Sequence, residues 1–213
     1  MKKFIFNRFT LVILLLLLFI FISALSYATN VSAHLADSVF RLHVIANSDE
    51  DFDQNLKYKV RDKVIEYMQT LCQDGTSKED YINIAKNNLY EIKEVAKNTI
   101  IENGFNYDVN VYVGNFEFPT KTYGDVSFPA GFYDALRIEI GNASGKNWWC
   151  VMFPPLCFVD ITSGVVPEES KETLKDEISA EEFDLITGAN SEVKFKFKII
   201  EMFQNWGLVA NKM

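Results

Sequence analysis

An unbroken apolar run from Leu11 to Ile22 opens the chain, preceded by Lys2, Lys3 and Arg8 and followed by a softer stretch ending in Ser26-Tyr27-Ala28. From Val39 to Ile45 the rhythm becomes alternating. Phe40, Leu42 and Val44 fall on one side and Arg41, His43 and Ile45 on the other, which predicts a strand. Leu56, Val60, Val64, Met68 and Leu71 then recur at helical spacing, behind a polar loop whose Ser48, Asp49, Asp51 and Asp53 suit a helix N-terminus. Ser77 with Asp80 forms a capping-box signature for a second helix. That helix carries Ile82, Ala85, Leu89, Ile92, Ala96 and Ile100 on one stripe and stops at Gly104.

Period two returns with Tyr107, Val109, Val111 and Val113, and again with Leu136, Ile138 and Ile140 alternating against Arg137 and Glu139. A loop around Pro119–Gly124 separates these two strands. After the turn-rich "GNASGKN" comes "WWCVMF", a more uniformly apolar strand expected at the centre of the sheet. "PEESKETLKDEISAEEFD" reads as an exposed acidic linker, and Phe195, Ile199, Phe203 and Trp206 predict a closing amphipathic helix. The order predicts an α+β fold: two helices packed on one face of a mainly antiparallel sheet, plus a C-terminal helix. The expected segments are a signal peptide or N-terminal anchor at 1–28, a spacer at 29–37, an α+β domain at 38–165, an acidic linker at 166–190 and the amphipathic helix at 191–213.

The N-terminal pattern, a positive end, an apolar core and a small-x-small site, is that of a secretory signal peptide. Counting Ser23–Leu25, the segment also nearly suffices for an uncleaved anchor. Either way the body is expected outside the membrane, with membrane contact only through this segment. Removal of Lys2, Lys3 and Arg8 takes the formal net charge from −8 to −11. An acidic exported domain without a basic patch is unsuited to nucleic acid.

Candidate chemistry is sparse. Cys150 and Cys157 flank "VMFPPL", and their spacing leaves two readings open, a disulfide or two buried thiols, with Cys72 left over in either case. A thiol nucleophile would need His43 or His34 beside it in space. Six residues between the cysteines, with no nearby histidine, do not make a zinc site, and Asp49–Asp53 lacks the glycine and terminal glutamate of a calcium loop. "GNASGK" fails as a phosphate loop in both spacing and the residue after its lysine. Nothing calls for a cofactor. Binding remains: adjacent Trp148 and Trp149 must point to opposite faces of a strand, and a tryptophan beside Pro-Pro makes a rigid aromatic anchor.

The stretches "RLHVIANSD", "LKYKVRDKV", "PAGFYDALRIEIGNASGKNWWCVMFPPLCFVD" and "VKFKFKIIEMF" together resemble the stage II sporulation protein R family of endospore-forming bacteria. The resemblance implies a protein made in the forespore and exported into the space between the two sporulating compartments. There it triggers a membrane-embedded aspartic protease that cleaves the sigma-E precursor, without being an enzyme itself. Asn47, Arg61 and Arg137 match the family pattern and, with Trp148 and Trp149, are the candidate partner-binding residues. The alternative class is an exported hydrolase or thiol enzyme acting on the cell envelope through Cys150, Cys157 and His43.

Overall fold

The computed structural model describes residues 8–72, 76–157, 166 and 168–187. Helix α1 (Arg8–Asp37) leads through two residues into strand β1 (Phe40–Ile45), followed by α2 (Asp51–Leu71), α3 (Lys78–Asn87) and α4 (Leu89–Glu102). The chain then forms β2 (Val109–Phe118), a small hairpin β3 (Lys121–Tyr123) and β4 (Val126–Phe128), β5 (Gly131–Ile140), β6 (Asn147–Phe153), α5 (Glu168–Glu177) and α6 (Ala180–Thr187).

The main sheet has the order β2-β5-β1-β6, in which β1 and β5 run parallel and the other two pairings are antiparallel. The alternation in β1 decides how the layers form. Phe40, Leu42 and Val44 face a core shared with α2 and α4, where Leu56, Val60, Val64, Ile92, Ala96 and Ile100 are buried. Each Val, Leu, Ile or Phe side chain among them taken out of water is worth about 1.5–3 kcal/mol. The predicted alternation of β5 holds, with Leu136, Ile138 and Ile140 joining this core.

Three helices, rather than two, cover this face, because the expected second helix breaks at Asn88. There the side-chain Nδ2 donates to the Ile84 carbonyl at 2.8 Å and φ is −115°, which ends α3 before α4 begins. The Ser77–Asp80 capping box forms as predicted. At the far end of α4, Gly104 takes φ +84°. Its N–H bonds Ile101 O at 2.9 Å while Phe105 N–H reaches Ile100 O at 3.1 Å, a Schellman closure.

The opposite face is also covered, which the sequence reading did not anticipate. Val31, Leu35 and Ala36 of α1 pack there with Phe118, Phe128, Tyr133, Ala135, Val151, Leu174 and Ile186. Residues 29–37, expected as a spacer, are thus the end of α1. Within 166–190, expected as an exposed linker, lie two helices that bury Leu174 and Ile186, and with them the carboxylate of Glu182. The local cause is a second capping box: Glu182 N–H donates to Ser179 Oγ at 3.2 Å, and Ser179 N–H to Glu182 Oε2 at 2.9 Å. The "WWCVMF" strand is not central. The interior strands are β5 and β1, the latter buried along its whole length, while β6 lies at the end of the strand order among the described residues. The helix expected at 191–213 lies outside the described residues.

Candidate functional site

Strand β6 places one tryptophan on each side of the sheet. On the helical side, Trp148 meets Tyr58 edge-on at 5.5 Å, and the guanidinium of Arg61 lies 4.2 Å above its ring. Arg61 also bonds Asp62 at 2.7 Å. Beneath this corner, Lys57 is almost wholly buried and donates to Gln54 Oε1 at 2.6 Å and to the Lys146 carbonyl at 3.1 Å. Burial, then the neighbouring Arg61, pulls the Lys57 ammonium pKa down to about 8.

On the other side the strand register builds a row across four strands. Tyr112 pairs with Arg137, Arg137 with His43, and His43 with Trp149. The His43 and Trp149 rings stack at 5.6 Å with 19° between their planes, and His43 Nε2 bonds Asn147 Oδ1 at 2.8 Å. Arg137 bonds Glu139 at 2.7 Å and lies 5.2 Å from the Phe116 ring, while Lys121 sits 4.3 Å over Trp149. Tyr112 is 45% exposed at the outer end. Burial lowers the His43 pKa, outweighing the bond to Asn147, and burial followed by Arg41 lowers that of Lys121.

Directly behind this row Arg41 is fully buried in an aromatic box, 4.2 Å from Phe118 and 4.5 Å from Tyr133. Its Nη2 donates to Tyr123 Oη at 2.8 Å, and that hydroxyl donates onward to the Trp149 carbonyl at 3.0 Å. A buried cation thereby ties the β3–β4 hairpin to β6 without a carboxylate.

Asn47 belongs to a third place. The connection from β5 to β6 must cross the end of β1, which brings "GNASGKN" against "ANSD". Asn47 Nδ2 donates to Asp53 Oδ2 at 2.8 Å, its Oδ1 accepts from Asn142 N–H at 2.9 Å, and Ser48 Oγ donates to Asp53 at 2.6 Å. Gly141 takes φ +56°, and a Cβ there would collide with Asn47 Oδ1; at Gly145 it would collide with the Ser48 carbonyl. The glycines of this motif are spent on a close crossing of two loops.

The five candidate residues therefore do not converge. Trp149 and Arg137 share the row through His43, Trp148 and Arg61 share the helical corner, and Asn47 organises the crossing. Tyr112, Lys121, Arg41 and Asn147 were missed; the alternation of β2 about Tyr112 was the one available signal. Cys150 and Cys157 form a disulfide, with Cα atoms 5.2 Å apart. Cys150 faces the helical core whereas His43 packs on Trp149 and Phe118, so the thiol–imidazole pair needed for a nucleophile is not formed. Among the described residues no group of three or more His, Cys, Asp or Glu side chains is placed to hold a metal.

A family model for stage II sporulation protein R matches residues 36–163. The chain is 44% identical over 143 residues to the stage II sporulation protein R of Bacillus subtilis (strain 168), covering 66% of this chain and 64% of that protein. No solved structure matches it. The matched region contains the three sites just described together with the disulfide, and the chain belongs to the stage II sporulation protein R family.

Proposed function

We propose that this protein is an exported signal between the two compartments of a sporulating cell. It binds a membrane-embedded aspartic protease in the facing membrane and activates it to cleave the sigma-E precursor, performing no catalysis itself. It acts in the space between forespore and mother cell, where it arrives by way of its N-terminal segment. A ligand of this kind works by binding the active state of its target more tightly than the inactive one.

The observation that carries this reading is the edge position of β6, with Trp149, His43, Arg137 and Tyr112 in line on one face and Trp148 under Arg61 on the other. Aromatic and arginine side chains are what a protein partner grips best, and the edge strand β6 offers main-chain hydrogen bonds as well. The half-exposed Tyr112 and the partly exposed Arg137 are the groups placed to reach outward.

The test is reconstituted cleavage of the sigma-E precursor in vesicles carrying the protease. Adding the protein should start cleavage, and Tyr112→Ala with Arg137→Ala should cut the rate at least tenfold while the melting temperature stays within a few degrees. Cleavage indifferent to the added protein would sink the signalling role. Cleavage indifferent to the double substitution would sink only this surface.

A further inference from the structure

Helix α1 does two different things along one unbroken length. From Leu11 to Ile22 its side chains are exposed and apolar, and the helix is long and apolar enough to cross a membrane. Its last turns belong to the core: Val31 is 7% exposed, Ser32 8% and Leu35 fully buried. This end is also fixed by side-chain bonds, two of them from other elements. His34 Nδ1 meets Glu182 Oε1 at 2.9 Å, Lys78 Nζ donates to the Asp37 carbonyl at 2.8 Å, and Ser38 Oγ donates to the His34 carbonyl at 2.8 Å.

The small-x-small site Ser26-Tyr27-Ala28 lies between these two parts, inside the helix. Thr29 Oγ1 donates to the Ser26 carbonyl at 2.9 Å, bridging the Ala28–Thr29 peptide bond. Proteases hold their substrates as extended strands through main-chain hydrogen bonds, engaging several residues on each side of the bond they cut. In α1 those main-chain groups are already committed to the helix. Three residues beyond the bond the chain enters the core at Val31, so an extended substrate cannot form without drawing Val31 and Ser32 out of their packing. The whole distance from Ile22 to Val31 is about 14 Å of helix, with no slack segment between.

We propose that folding of the domain onto the end of α1 closes the Ala28–Thr29 bond to signal peptidase. Hydrolysis, in which water adds across that amide to leave an Ala28 carboxylate and a Thr29 ammonium, takes place before the domain closes or does not take place. A chain that folds first remains anchored by α1, with its domain held against the bilayer surface. A chain cut first keeps residues 29–37 as the core helix stub. This holds whether or not the protein activates a protease.

The test uses the full chain, refolded from urea into detergent micelles, with purified bacterial signal peptidase added either at the moment of dilution or after refolding is complete. The fragment beginning at Thr29, identified by mass, should fall at least tenfold when the peptidase is added late. Leu35→Asp, which undocks the last turns of α1, should be cut equally at both times. Equal cutting of the parent chain at early and late addition overturns the proposal. So does resistance of Leu35→Asp at late addition, and so does a parent chain left uncut, or cut elsewhere, even when unfolded.

Discussion

The imidazole of His43 lies nearly parallel to the Trp149 indole, 5.6 Å away, with its Nε2 bonded to Asn147 and Arg137 next to it in the adjacent strand. A cationic ring there would lose hydration and face a neighbouring guanidinium, so burial first and Arg137 among the charges hold the His43 pKa below 6.5. In the unfolded chain the ring takes a proton near pH 6.5; in the folded chain it takes one only at lower pH. Between those values the unfolded state binds more protons, and stability must fall as the pH is lowered below about 6.5. Urea midpoints at pH 7.5 and 5.5 should differ in that direction, and His43→Gln should shrink the difference. An unchanged difference would assign the loss to carboxylates instead. The alternatives are Glu182, which burial pushes up but Ser179 and His34 pull below its ordinary value, and Asp125, likewise lowered by Lys171 against its own burial.

Asn47→Ala removes the acceptor for Asn142 N–H and one of the two donors to the buried Asp53 carboxylate. Asp53 keeps its bond from Ser48 and the exposed Asn142 N–H can turn to water, so the loss should cost about 1–2 kcal/mol, read as a lower urea midpoint. Gly141→Ala, with a positive φ and a collision against the same amide, should destabilise in the same direction.

Arg61→Ala should expose the Trp148 ring, giving a red-shifted fluorescence component. It should cost about 1–2 kcal/mol of stability through the lost cation–π contact and the lost cover of its methylene stem. Arg61→Lys should recover only part of this, since a point ammonium does not stack as a planar guanidinium does.

Replacing Cys150 and Cys157 together by serine opens a loop of seven residues' separation and should cost about 2–3 kcal/mol. Under native, non-reducing conditions iodoacetamide should leave both unlabelled. Cys72, whose thiol is pushed up by burial ahead of its bond with Tyr81, should react slowly at neutral pH.

Periodicity alone made most of the sheet and the helical layer legible. Alternation placed Arg41 and His43 opposite Phe40, Leu42 and Val44, and the same logic placed Arg137 and Glu139 opposite Leu136, Ile138 and Ile140. It failed where the signal was tertiary. Asn88 sits in an unbroken helical stripe, and its backbone angles and side-chain bond to Ile84 mark a break that the stripe does not show. The acidic stretch around Glu168–Asp184 has few apolar residues, but Leu174 and Ile186 fall on the buried face, and Ser179 with Glu182 was a capping box present in the sequence and not read. The apolar character of β6 suggested a central strand. Its apolar residues answer instead to packing on both faces and to the disulfide. The His43–Trp149 row was beyond reach because it depends on strand order, which composition does not carry.

The place of β1 bears on when this protein can acquire its structure as the chain emerges. Arg41 takes its neighbours from Ala135 in one strand and Val151 in the other, so the sheet's middle stays open until roughly a hundred later residues have arrived. Such a high contact order slows closure, since a long loop's entropy is spent before the pairing gains anything. While the chain is being made there is therefore an interval in which its earliest strand has no neighbours to pair with, and the rate at which the later residues arrive sets how long that interval lasts.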